Sequence, residues 1–286
     1  MPAQIIDGKL ISQQIKDEVK AAVDALNAQG KKPCLAVVLV GDDPASAVYV
    51  GHKEKTCAET GIRSVTCRLP AETTEAELLA LIGELNADAS VHGILVQSPV
   101  PSHIDENKIL LAVSPEKDVD CFHPYNVGLM SIGGGTLLPG TPAGMIELLK
   151  RSNIEIAGKN CVVLGRSNIV GKPIAALLLR EHGTVTICHS KTKNLAEVTQ
   201  QADILIVAIR QPRFVTADMI KDGAVVLDVG VHKLDPNSKK LCGDVDFDSC
   251  VEKAGYITKV PGGVGPMTIA MLMQNCLAAY HLQNEA

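Results

Sequence analysis

The chain has 286 residues, 46% of them hydrophobic and 21% charged, the balance of a globular protein long enough for two domains of ordinary size. With a net charge of −5, no Lys/Arg run longer than two, no Trp, four Tyr and three Phe, it lacks the basic face and stacking platforms that nucleic acid requires. No apolar stretch approaches the ~18–20 residues that span a bilayer, so no membrane partner is expected.

The N-terminus has neither a signal-peptide h-region nor an Arg-rich transit pattern. Nine cysteines fall at scattered spacings with no C-x-x-C and no His pair at ligand spacing, which predicts a reducing, cytoplasmic setting and no metal. Short apolar runs then alternate with longer amphipathic segments, the rhythm of βαβ units. Ile11, Ile15, Val19 and Val23 predict a helix over 9–29, stopped by Gly30. Strands are expected at 34–41, 62–70 and 91–101, and helices at 45–60, 73–87 and 105–112. Residues 128–142 carry five glycines and two prolines, the chemistry of a hinge or a surface turn. A helix over 143–153 follows, then strands at 160–165, 184–189, 203–209, 224–230 and 256–260, helices at 171–181 and 194–201, and a last helix over 265–283. Two α/β domains joined near residue 140 fit this alternation better than one.

The segment VVLGRSNIVGKPIAALLL (162–179) reads as strand, glycine turn and helix. Gly165 permits the tight turn, Gly171 opens the helix, and free N–H groups at the helix start face an anion. Ser167 adds a hydroxyl donor, and Pro173 falls in the first helical turn, where its missing N–H costs nothing. An NAD site ends its second strand with a carboxylate for the ribose hydroxyl. Here that end offers His189, Ser190 and Lys191, with Arg166 as a second cation, which favours NADP. The alternative is that both glycines serve only tight packing and the cations are solvated.

Tyr49 and Lys53 stand four apart on a predicted helix. A Tyr-x-x-x-Lys pair also serves short-chain dehydrogenases, but there the glycine turn precedes the pair, and here the order is reversed. Alone, the two could be a packed aromatic and a solvated charge. What raises them is company: Gln97 and Asp120 also fall where strands run out, the edge at which open α/β sheets collect ligands.

In order along the chain, ASAVYVGHKEK, GILVQSPVP, KDVDCFHPYNVG, PGTPAG, GRSNIVGKP and PGGVGPMT resemble the signatures of the bifunctional methylenetetrahydrofolate dehydrogenase/cyclohydrolase family. The resemblance runs from about residue 5 to 275. It implies two α/β domains with a cleft between them: 1–139, folate-binding and catalytic, completed by the C-terminal helix 265–286, and 140–264, a Rossmann-type parallel sheet for NADP. It implies oxidation of 5,10-methylene- to 5,10-methenyl-tetrahydrofolate, hydrolysis to 10-formyl-tetrahydrofolate, and a homodimer formed through the C-terminal domain. Lys53 would be the catalytic lysine, Tyr49 would order the aminobenzoyl ring, Gln97 would hydrogen-bond the lysine, and Asp120 would hold the pterin. Pro261, Gly262 and Gly263 would approach the substrate, and Ile169 and Val231 would join Gly165, Arg166, Ser167, Gly171, His189, Ser190 and Lys191 around the cofactor. Asp228 either stands at the cofactor side or caps a turn.

Three departures from the family pattern stand out. Cys121 replaces a glycine after Asp120, Ser98 and Val100 replace leucines around a Pro, and Arg210 replaces the glycine of an Ala-x-Gly-x-Pro strand end. None removes a catalytic group; each bears on the shape of a pocket. A two-domain dehydrogenase for another small substrate would make no use of Asp120, a silent dinucleotide-binding regulator no use of Lys53, and a folate dehydrogenase with weak cyclohydrolase activity would use both.

Overall fold

A computed structural model of the chain describes residues 2–234 and 240–284. Strand β1 (Gln4–Ile6) and helix α1 (Gly8–Asn27) are followed by β2 (Cys34–Val40), α2 (Pro44–Thr60), β3 (Arg63–Leu69), α3 (Glu75–Ala87), β4 (Gly93–Val96), α4 (Glu106–Ala112) and α5 (Pro124–Ser131). Next come α6 (Gly140–Arg151), β5 (Asn160–Leu164), α7 (Gly171–Arg180), β6 (Thr184–Cys188), α8 (Leu195–Thr199) and β7 (Ile204–Val207). The chain closes with β8 (Val225–Asp228), β9 (His232–Lys233), β10 (Leu241–Cys242), α9 (Phe247–Cys250), β11 (Tyr256–Thr258) and α10 (Gly265–Asn284). Two compact units result: Gln14–Gly140 with the residues from Ile269 onward, and the residues up to Gln13 with Thr141–Thr268.

The first unit is built on a parallel sheet of order β3-β2-β4. All seven residues of central β2 are buried, so its apolar run is continuous rather than alternating. Leu78 and Ile82 of α3 and Ile109 of α4 pack with Val38 and Ile94 of the sheet in one apolar cluster. Helix α2 starts where the Asp43 carboxylate accepts the Ser46 amide and Pro44 enters the first turn, and it stops at Gly61, which takes φ 78°. From α10, Asn275 Nδ2 donates to Val119 O at 2.8 Å and Leu138 O at 2.6 Å, and Gln283 Nε2 to His92 O at 2.7 Å.

The second unit is a six-stranded parallel sheet of order β1-β11-β8-β7-β5-β6. From β5 the chain moves outward to β6 and then crosses to β7 on the other side. The strand order therefore reverses between β5 and β7, where doubly wound sheets place ligands. A short antiparallel pair, β9–β10, lies beside it in sequence.

Two elements depart from expectation. Residues 4–6 pair with β11, Gln4 against Tyr256, so the N-terminus belongs to the second sheet rather than to the unit expected over 1–139. The glycine-rich 128–142 is helical at both ends rather than being one open hinge: α5, which begins where the His123 ring accepts the Tyr125 amide and Pro124 enters the first turn, runs on to Ser131, and α6 already starts at Gly140. Among the described residues no helix is long and apolar enough to cross a membrane.

Candidate functional site

In the first unit, the i, i+4 spacing places Tyr49 and Lys53 on one face of α2. Tyr49 is 59% exposed, whereas Lys53 is partly buried and its Nζ donates to Gln97 Oε1 at 2.9 Å. Gln97 lies one residue past β4; its amide N–H extends the sheet to Val38 O, and its Nε2 donates to Ser98 O at 2.6 Å. The carboxamide is thus held at both ends, with its oxygen on the amine.

Asp120 reaches the same place on the segment that pairs Asp118 with Ile94. Burial pushes its carboxyl up to about 6, against the pull of the Lys53 charge and with a smaller push from Asp118. Burial also draws the Lys53 ammonium below the ordinary lysine range, and the Asp120 charge works the other way. Each group is less charged than in water, and no hydrogen bond reaches the Asp120 carboxylate among the described residues. The result is a neutralisable amine next to an unpartnered acid.

Sequence reasoning did not single out Asp118. Its Oδ2 accepts the His123 amide at 2.8 Å and Asn126 Nδ2 at 2.9 Å, tying down the loop on both sides of Asp120. Cys121 occupies that loop at φ 57°, the left-handed region that a glycine would take freely. It is buried, its Sγ donates to Leu137 O at 3.2 Å, and burial pushes the thiol up to about 12, so it is inert rather than reactive. The Ser98 hydroxyl is engaged by Glu106, beside a cis Ser98–Pro99 bond.

In the second unit the glycine turn follows β5. Gly165 takes φ 125°, and a Cβ on it would lie 2.2 Å from Ala208 O; one on Gly171 would lie 2.3 Å from Gly165 O. Both positions therefore require glycine. Ser167 Oγ accepts the amides of Val170 and Gly171 at 3.2 Å each, so the hydroxyl caps the helix start. Arg166, Ser167 and Ile169 are exposed there, as are Ser190 and Lys191 past β6. The His189 amide donates to Thr192 Oγ1 at 2.9 Å, and the His189 ring accepts the Lys191 amide. A pocket of about 240 Å³ opens at the strand-order reversal, lined by Gly165, Arg166, His189, Ser190, Ala208 and Ile209 among others. Among the described residues no carboxylate lines it. Val231, 57% exposed, follows β8 outside that lining.

Pro261, Gly262 and Gly263 follow β11 in this second unit, with a cis Val260–Pro261 bond and Gly262 at φ 107°. A Cβ on Gly8 at the start of α1 would lie 1.7 Å from Gly263 O, so the loop rests on that helix end. Asp228 is a turn cap: its Oδ1 accepts the amides of Gly230 and Asp244, and its Oδ2 that of Val245, all at 2.9 Å. Lys53, Gln97 and Asp120 are thus brought together, and the dinucleotide turn and the Pro261–Gly263 loop are each formed within the other unit.

Comparison with known proteins agrees with both halves. Residues 6–120 match the family model "Tetrahydrofolate dehydrogenase/cyclohydrolase, catalytic domain", and residues 139–284 match the NAD(P)-binding domain of the same family. The Bifunctional protein FolD of Lachnoclostridium phytofermentans is 65% identical over 275 residues, covering 96% of this chain and 97% of its own. The crystal structure of the bifunctional enzyme FolD, methylenetetrahydrofolate dehydrogenase/cyclohydrolase, from Campylobacter jejuni superposes with a TM-score of 0.95 at 49% identity, covering 98% of this chain and 99% of that one. The Trypanosoma brucei N5,N10-methylenetetrahydrofolate dehydrogenase-cyclohydrolase, complexed with NADP and an inhibitor, superposes at 0.94 with 39% identity and full coverage of both chains.

Proposed function

Because the chain belongs to the tetrahydrofolate dehydrogenase/cyclohydrolase family, we propose that it oxidises 5,10-methylene-tetrahydrofolate with NADP and hydrolyses the methenyl product to 10-formyl-tetrahydrofolate. The observation that carries this reading is the Lys53 amine, half-buried, bonded to Gln97 and adjacent to the Asp120 carboxylate, which accepts no hydrogen bond among the described residues.

A pterin edge presents an N3–H and a 2-amino group as adjacent donors, which the Asp120 carboxylate accepts as a pair. That bond settles the charge on Asp120 and fixes the folate relative to Lys53. Tyr49, exposed on the same helix face, supplies a ring for the aminobenzoyl group to lie against. NADP, when bound, accepts the hydride that leaves the substrate methylene. The methenyl product is a cation, and a charged ammonium beside it would oppose its formation. The burial that depresses Lys53 therefore favours the first step, and Gln97 holds the amine in place. In the second step the neutral amine takes a proton from water as the oxygen attacks the methenyl carbon; ring opening at N5 then leaves the formyl group on N10.

The glycine turn suits a dinucleotide, since Gly165 and Gly171 allow the tight turn and the close helix–strand packing of a pyrophosphate site. Arg166 and Lys191 are exposed and form no ion pair among the described residues, which favours the 2′-phosphate of NADP. Pro261, Gly262 and Gly263 are assigned to the substrate, and Ile169 and Val231 to the cofactor. We also assign a homodimer through the C-terminal domain: β6 is one of the sheet's two edge strands, and Thr184, Thr186 and Ile187 on it are exposed along with Leu179 of α7. Nine free cysteines suit a reducing cytoplasm.

The test follows absorbance as the purified protein meets 5,10-methylene-tetrahydrofolate with NADP or NAD, for wild type and Lys53→Met. NADP reduction by wild type, with methenyl hydrolysis abolished in the variant, is expected. No reduction with either dinucleotide would overturn the reading.

A further inference from the structure

The loop after β7 forms the rim of the 240 Å³ pocket, with Ala208, Ile209 and Gln211 in the lining. Its central residue, Arg210, sits at φ 57°, a left-handed conformation that a non-glycine residue adopts only when its surroundings hold it. One side chain does that holding. The Asp244 carboxylate accepts three consecutive amides, Ile209 at 2.7 Å, Arg210 at 3.0 Å and Gln211 at 2.8 Å, and His232 Nε2 donates to it at 2.7 Å. Asp244 is wholly buried, and its own amide is fixed by Asp228 Oδ1. A Cβ on Gly230 would lie 2.5 Å from the Asp244 carboxyl carbon, so the chain passes over it with no room for a side chain.

Three successive N–H groups around a left-handed residue form an anion nest of the kind that receives phosphate. Here the protein's own carboxylate fills it, so this nest is closed to a ligand and serves the loop's shape. The geometry points to Asp244, steadied by His232, as a positioning residue for NADP: it compels Arg210 into a glycine-like conformation and so sets the pocket wall contributed by Ile209 and Gln211. The inference rests on the NADP reading above and adds to it a residue that touches no ligand. It also explains how a chain with Arg210 in place of glycine keeps the turn.

The experiment measures the dissociation constant of NADP, the KM of the folate substrate and the rate of methenyl-folate hydrolysis in wild type, Asp244→Asn, Asp244→Asn/Arg210→Gly and His232→Ala. Asn keeps one acceptor oxygen but turns N–H groups toward amides that need acceptors. Loss of charged hydrogen bonds should weaken NADP by about tenfold in Asp244→Asn, while folate KM and the hydrolysis rate stay within about twofold. Glycine at 210 needs no clamp, so the double variant should regain at least about threefold. His232→Ala leaves the charge and all three amides and should weaken NADP by about threefold; it decides the matter alone if Asp244→Asn does not fold. Unchanged NADP affinity, or NADP and folate constants that worsen in parallel without rescue by Arg210→Gly, would overturn the inference. If wild type itself binds no NADP, the pocket reading fails instead, and the two failures are told apart.

Discussion

Two carboxylates in this protein are pushed to the same acidity for the same first reason and do different work. Asp120 and Asp228 are both raised to about 6, chiefly by burial. Asp228, 3% exposed, spends its oxygens on three backbone amides and has the Asp244 carboxylate as its charged neighbour. Asp120 has no hydrogen bond to its carboxylate among the described residues, and its stronger charged neighbour is the Lys53 ammonium, with Asp118 the weaker. A shifted acid alone does not mark a working group, since structural networks shift acids too. Unused hydrogen-bonding capacity next to a displaced amine does. The contrast fits the substrate role proposed for Asp120 and leaves Asp228 to the fold.

The largest expected effect falls on the partner of Asp120. Lys53→Met removes the group proposed to take the proton, so the methenyl hydrolysis rate should fall about 10²–10⁴-fold with thermal stability little changed. Hydrolysis within tenfold of wild type would remove Lys53 from its role. Next, Asp120→Ala and Asp228→Ala should separate cleanly. The first loses a charge-assisted pair to the pterin, about 1.5–3 kcal/mol, and should raise folate KM by about 10–100-fold while leaving stability unchanged or improved. The second strands three buried amides and should cost about 3 kcal/mol or more in unfolding free energy. Denaturant melts and folate titrations of both variants give the answer. An Asp120→Ala protein that unfolds early while binding folate normally would reverse the assignment.

The pH dependence sharpens the contrast. For Asp228, folded acidity near 6 against an ordinary 3.8 means that the folded state binds the extra proton between those values. Its contribution to stability is therefore complete below about pH 4 and is lost as pH rises through about 6, roughly 3 kcal/mol in all. Asp228→Asn should flatten that slope. Asp120 titrates in the same window but is read in activity. Below about pH 6 the protonated acid no longer accepts two donors, so kcat/KM for folate should fall on the acid side, and Asp120→Asn should abolish that limb. Hydrolysis should also rise toward alkaline pH as Lys53, depressed by burial, loses its proton.

What the sequence made legible was local. Helix α2 stops at Gly61, just past the expected 45–60, and starts at Pro44, one residue before that range, and spacing alone puts Tyr49 and Lys53 on one face. Gln97 was legible because it follows an apolar run that the sheet buries, and Gly165 because strand, turn and helix are contiguous. The chemistry that depends on distant partners was not. Asp244 receives amides from more than thirty residues earlier, and no periodicity encodes that. Strand β1 has three residues, too few for a pattern, and its partner β11 lies at the far end of the chain. Helix α5 was hidden because its start, His123 and Pro124, runs into a glycine-rich tract. Cys121 and Arg210 were visible as departures from a family pattern, but only the backbone shows that both accept the glycine-like conformation instead of moving the chain.

Those two positions set up the smallest and most discriminating contrast. Both stand at φ 57°, where glycine costs nothing and a side chain costs about 1 kcal/mol. Relief of that strain is common to Cys121→Gly and Arg210→Gly; what each loses is not. Arg210 is exposed and forms no ion pair among the described residues, so little opposes the gain. Cys121 is fully buried, and its removal forfeits the contact with Leu137 O and leaves a small hole in the packing. Arg210→Gly should therefore raise unfolding free energy by about 0.5 kcal/mol after the entropy that glycine adds to the unfolded chain. Cys121→Gly should be neutral or destabilising by about 1 kcal/mol. Equal shifts in paired denaturant melts would mean that burial does not distinguish the two loops, and that strain alone sets the cost of replacing their glycines.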